Sequence, residues 1–156
     1  MTGRTLLGVW AHPDDEAYTS AGLMAEFRRR GDRVVIVTAT LGERGTGDPE
    51  AWPPRRLGAL RHAELRNSLA VLDVDELRLL GYLDGDCEMH DGTAAIARTI
   101  IEIEPDLIVT FGPDGLTGHP DRVRRALKRD DVFVVSKPVE RETLRQVMGR
   151  ALGFAG

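Results

Sequence analysis

Five short apolar runs, at about residues 5–10, 33–39, 77–81, 106–111 and 131–136, alternate along this chain with segments of helical character. That alternation constrains the fold more than any other feature, because strands separated by helices pair in parallel and need helices over both sheet faces. The class expected is α/β, a Rossmann-like three-layer fold with a mostly parallel sheet. Between the first two runs, Ala21, Leu23, Met24, Phe27 and the arginines at 28–30 form an amphipathic helix that Gly31 can end. Residues 55–72 give a second helix, with Leu57, Leu60, Leu65, Leu69 and Leu72 roughly along one stripe, and residues 92–104 give a third. A chain of 156 residues, 42% hydrophobic and 29% charged, suffices for one core, so a single domain over 1–156 is expected.

Parallel sheets bind ligands at the carboxyl ends of their strands, and two of the runs end in polar clusters. Leu6-Leu7-Gly8-Val9-Trp10 leads into Ala11-His12-Pro13-Asp14-Asp15-Glu16, and Leu107-Ile108-Val109-Thr110-Phe111 leads towards Thr117-Gly118-His119-Pro120-Asp121. An imidazole and three carboxylates at the exit of a buried strand are costly to hold together unless charge or a metal is needed there. The second run is followed by an irregular stretch at about 40–54, broken by Gly42, Gly45, Gly47, Pro49, Pro53 and Pro54. It starts at a strand exit, so Glu43 and Arg44 can reach the same rim, and it reads either as a binding segment or as a plain connection.

Zinc accepts imidazole nitrogen and carboxylate oxygen, so His12 and Asp15 suit a metal, with Pro13 stiffening the turn between them. Asp14 is then left to take a proton from the attacking water. His119 can face the substrate from the opposite strand, stabilising an oxyanion or protonating the leaving nitrogen, with Asp121 holding its tautomer. Amide hydrolysis is the reaction implied. Each element alone has a plainer explanation, since acidic residues beside a helix start are commonly caps and a lone loop histidine is ordinary. The placement of both His-Pro-Asp clusters at strand exits favours a shared site.

A formal net charge of −4 gives no electrostatic reason to expect nucleic acid or an anionic membrane, and the basic run Arg122, Arg124, Arg125, Lys128 and Arg129 reads as a solvated helix face. Cys87 is the sole cysteine, which excludes an intrachain disulfide and fits a reducing compartment. No long apolar segment follows Arg4, so neither a signal peptide nor a membrane span is expected, and a cytoplasmic location follows by default.

At these residues the chain resembles the PIG-L/LmbE family of zinc-dependent N-acetylglucosamine deacetylases, over roughly residues 5–121. The resemblance is carried by Ala11-His12-Pro13-Asp14-Asp15-Glu16, Gly42-Glu43-Arg44-Gly45, the helix with Arg61, Glu64 and Leu72, Leu80-Gly81-Tyr82-Leu83-Asp84-Gly85, and Gly118-His119-Pro120-Asp121. It implies a Rossmann-like fold, removal of acetyl groups from N-acetylated amino sugars, His12 and Asp15 as zinc ligands, and Asp14 as general base. His119 and Asp121 would be the acid or oxyanion partner and its orienter. Members of the family usually read His-Pro-Asp-His at the second motif, the last histidine being the third protein ligand, and here Arg122 stands in that place. A guanidinium has no lone pair and stays protonated, so zinc binding is expected to be impaired.

The family commonly continues well past this motif, so the chain reads as shortened on its C-terminal side. Its tail at 131–156, with Asp131-Val132-Phe133-Val134-Val135-Ser136-Lys137-Pro138, resembles instead the last strand and helix of a response-regulator receiver domain. Two further readings therefore stand beside the deacetylase. One is a non-catalytic small-molecule or sugar binder on the same fold. The other is a receiver-like signalling domain with Asp84 as phosphoacceptor, disfavoured by the roughly 70 residues between the acidic pair and Asp84. A second copy covering an open sheet edge or pocket would make a homo-oligomer.

Overall fold

A computed structural model describes residues 3–86, 92–111 and 132–135. In chain order the elements are β1 (Thr5–Trp10), α1 (Asp15–Arg29), β2 (Arg33–Thr38), α2 (Pro54–Val71), β3 (Glu76–Leu79), α3 (Gly92–Ile103), β4 (Leu107–Phe111) and β5 (Val132–Val135). The five strands form one sheet in the order β3-β2-β1-β4-β5, with every neighbouring pair parallel. The α/β class and the five expected strands are thus found. The helix expected to follow the last strand lies outside the described residues.

Period-two alternation in the buried strands divides the core into two layers. Leu6, Trp10, Val34, Ile36, Leu107 and Val109 face Leu23, Met24 and Phe27 of α1 and Leu65 and Leu69 of α2. Leu7, Val9, Val35, Val37 and Ile108 face Ile96, Ile100 and Ile103 of α3. α1 and α2 therefore cover one face and α3 the other, which explains why β1, β2 and β4 read as continuous apolar runs. Gly8 makes room within the first layer, because a Cβ there would come within 2.7 Å of both the Trp10 indole nitrogen and Ile36 Cδ1.

α1 ends as its sequence suggests, with Gly31 at φ +78° and the Asp32 amide donating back to the Phe27 carbonyl at 3.0 Å. The stripe on α2 differs from its sequence reading. Leu57, Leu65 and Leu69 are buried, but Leu60 is exposed. The inward row runs 57, 61, 65, 69 at a spacing of four, so the position between Leu57 and Leu65 is filled by Arg61 rather than by a leucine.

The strand order reverses direction at β1: the chain leaves β1 for β2 on one side and arrives at β4 on the other. Such a switch point opens a crevice beyond the carboxyl ends of the two central strands. Trp10 and Phe111, the last residues of β1 and β4, close its floor with an edge-to-face ring contact at 5.0 Å and 72°. The Ala11–Glu16 segment leaves β1 at this place.

Candidate active site

Three strand exits converge at the switch point. After β1 the chain turns through Ala11, His12 and Pro13 into α1, and β2 runs on alongside it, with the Thr40 amide donating to the Ala11 carbonyl at 2.9 Å. The segment after β3 follows β2 in turn, its Leu80 and Tyr82 amides each donating at 3.0 Å to the carbonyls of Thr38 and Ala39. Positive φ at Gly42, Gly81 and Gly85 lets these exits turn sharply, bringing Glu43, Arg44 and Asp84 to the rim of the crevice.

Asp15 opens α1, yet its carboxylate does not cap the helix. It turns back to accept the His12 amide at 2.9 Å, which places Asp15 Oδ2 3.7 Å from His12 Nδ1. The other ring nitrogen, Nε2, lies 3.1 Å from Asp84 Oδ1. Burial, opposed mainly by the bond from the His12 amide, raises the Asp15 pKa above the usual carboxylate range. Asp14 precedes the helix at φ +84°, a left-handed conformation for a residue with a side chain, and offers its helix no side-chain cap. Such a conformation costs of order 1–3 kcal/mol and persists only where its surroundings fix it.

Arg61 does that fixing. From the inward row of α2 its guanidinium donates to the Asp14 carboxylate at 3.0 Å, to the Pro13 carbonyl at 3.0 Å and to the Gly42 carbonyl at 2.8 Å. It thus ties the exits of β1 and β2 together. Gly42 has to be glycine for this, since a Cβ there would run into the Arg61 guanidinium. Glu43 and Arg44 do reach the rim: Glu43 accepts the Asp84 amide at 2.9 Å, while Arg44 donates its amide to Asp84 Oδ2 at 3.1 Å and its guanidinium to the Asp84 carbonyl at 2.9 Å.

Glu16, the third carboxylate of the motif, is fully buried on the core side of α1, and neither oxygen has a hydrogen-bond partner among the described residues. Burial pushes its pKa up to about 7, with the negative charges of Asp14 and Asp15 adding to the effect.

The structure therefore brings together His12, Asp14 and Asp15, three of the five residues expected at the site. His119 and Asp121, with Arg122 beside them, lie outside the described residues. Among the described residues no cluster of three or more His, Cys, Asp or Glu is arranged as a metal cage. The donor chemistry of the pair present does fit zinc, since two ligands of a tetrahedral ion stand roughly 3.3 Å apart, close to the 3.7 Å between His12 Nδ1 and Asp15 Oδ2. The sequence reading placed Arg61 and Asp84 among the residues that carry the family resemblance but assigned Arg61 no role in the site and Asp84 only that of a disfavoured phosphoacceptor. The available signals were an arginine on a leucine row and an aspartate in a glycine turn after the third strand.

The profile of the PIG-L family, described as GlcNAc-PI de-N-acetylase, matches residues 7–126. A Corynebacterium glutamicum relative, 1D-myo-inositol 2-acetamido-2-deoxy-alpha-D-glucopyranoside deacetylase, is 35% identical over 147 residues, covering 80% of this chain and 51% of the relative. The chain spans about half the length of the curated relatives it matches. Among solved structures, N,N'-diacetylchitobiose deacetylase from Pyrococcus horikoshii superposes with a TM-score of 0.66 at 28% identity, over 79% of this chain and 46% of that one. The 4-carboxy-2-hydroxymuconate hydratase GalB of Pseudomonas putida KT2440 superposes with a TM-score of 0.62 at 20% identity, over 75% of this chain and 51% of that one. This last likeness is one of fold alone, and it shows that the fold carries more than one chemistry.

Proposed function

This chain belongs to the PIG-L family, and from that premise we propose that it hydrolyses the acetamide of an N-acetylated amino-sugar derivative. The observation that carries the reading is the joint placement of His12 Nδ1 and Asp15 Oδ2, 3.7 Å apart, beside an Asp14 whose carboxylate is gripped by Arg61. His12 and Asp15 would hold zinc, which when bound supplies Lewis acidity that acidifies water and polarises a carbonyl oxygen.

The chain's own groups handle the protons. Asp14, with more than half of its side chain open to solvent, accepts the proton of the attacking water. The Arg61 guanidinium holds that carboxylate in place through a charge-assisted hydrogen bond. The departing amine needs a proton, which His119 supplies, with Asp121 fixing its tautomer. Amino sugars linked to inositol are the leading substrate class, by analogy with the deacetylases that the chain resembles. No helix among the described residues is long and apolar enough to cross a membrane.

Release of acetate from 1D-myo-inositol 2-acetamido-2-deoxy-α-D-glucopyranoside tests the proposal. Asp14→Asn should lower kcat by about 10²–10⁴-fold with the sugar still bound. Acetate release that survives Asp14→Asn refutes the assignment. One observation favours a second reading, a pocket that holds the sugar without cleaving it: Arg122 stands where a third zinc ligand is expected and has no lone pair. Sugar binding by a zinc-free chain that releases no acetate at any zinc concentration would establish that reading instead.

A further inference from the structure

We propose that Asp84 is the positioning residue of this site, holding the proton of His12 on Nε2 so that the Nδ1 lone pair turns towards the Asp15 carboxylate and a metal. The inference rests on the reading of His12 and Asp15 as metal donors and adds the group that orients them. Asp84 Oδ1 stands 3.1 Å from His12 Nε2, within hydrogen-bond reach. A carboxylate oxygen so close to a ring nitrogen is attracted to it only if that nitrogen carries the proton, which assigns the proton to Nε2. Nδ1 is then the acceptor nitrogen, and it is the one that lies 3.7 Å from Asp15 Oδ2.

The Asp84 carboxylate is built to stay where it is. Its second oxygen accepts the Arg44 amide at 3.1 Å, its own amide donates to Glu43 Oε1 at 2.9 Å, and its carbonyl accepts the Arg44 guanidinium at 2.9 Å. The side chain is only 7% exposed, so it faces the imidazole rather than solvent. These three contacts come from Glu43 and Arg44 after β2, while His12 follows β1 and Asp84 follows β3, so the orientation of His12 depends on three strand exits. An imidazole whose far nitrogen donates to a carboxylate is both fixed in its ring orientation and made a stronger ligand through the other nitrogen.

The test uses the intact chain with His12 labelled for nitrogen NMR, first metal-free at a pH where the imidazole is neutral, then titrated with zinc against a chromophoric chelator. The natural chain should show the Nε2–H tautomer. Asp84→Ala should let Nδ1–H appear, as the ring turns to Asp15, and should weaken zinc by about 10–100-fold. Asp84→Asn keeps an acceptor for the Arg44 amide, preserves the fold where alanine fails to fold, and should weaken zinc several-fold. An unchanged tautomer or an unchanged zinc affinity in a folded variant overturns the proposal. If the natural chain binds no zinc at all, the metal reading of His12 and Asp15 falls by itself, and the tautomer readout still decides whether Asp84 positions His12.

Discussion

Arg61 and Glu16 show how differently single charged residues are used around this crevice. Arg61 satisfies three acceptors from two loops at once, and lysine, a point donor on a flexible stem, cannot reproduce that fork. Arg61→Lys should therefore lower kcat/KM by about tenfold or more while leaving the melting temperature within a few degrees, a split that steady-state kinetics beside thermal melting will check. Glu16 carries a cost. Its pKa of about 7 lies above the ordinary carboxyl value, so the folded state holds a proton that the unfolded chain releases, and stability from this group falls as pH rises from about 4.5 through 7. Denaturant unfolding of metal-free protein should show Glu16→Gln gaining on the natural chain over that interval. A difference that stays flat with pH would show that Glu16 is not held neutral. At this scale the sequence was legible for the motif itself, because histidine and carboxylates at a strand exit have few uses. Arg61 and Asp84 stood among the residues carrying the family resemblance, but their contacts were not legible, because their partners come from strand exits distant in the chain.

Among the elements, β1 sets the most demanding packing. Gly8, opposite Ile36 in the register, leaves the volume into which the Trp10 indole folds back. Gly8→Ala should cost about 1–3 kcal/mol by overpacking, measurable as a lowered denaturant midpoint with an unchanged slope. Leu69→Ala, in the same layer on α2, should cost about 2–5 kcal/mol by leaving a cavity. The strands were readable because a sheet covered on both faces demands continuous apolar runs. The α2 stripe was only partly readable: Leu60 satisfies a leucine pattern but lies exposed, while Arg61 takes the inward row. Periodicity locates a helix more firmly than it says which of two adjacent residues faces in, since a rotation of one position is decided by what the helix packs against.

For the molecule as a whole, the strand order β3-β2-β1-β4-β5 places one crevice at the carboxyl ends of β1 and β4, and both polar motifs follow those strands. The topology sets the exits of β1 and β4 side by side although they lie about a hundred residues apart in the chain. Family membership supports the reaction class proposed here, and Arg122, standing where a third zinc ligand is expected, makes zinc affinity the quantity to measure. The most direct measurement is acetate release from the inositol-linked N-acetylglucosamine as zinc is returned to the metal-free natural chain, with His12→Ala and Arg122→His run in parallel. The account predicts acetate release that rises with zinc, is abolished in His12→Ala, and needs at least about tenfold less zinc in Arg122→His, where a nitrogen ligand is restored. Acetate release that is independent of zinc, or that persists in His12→Ala, would contradict it.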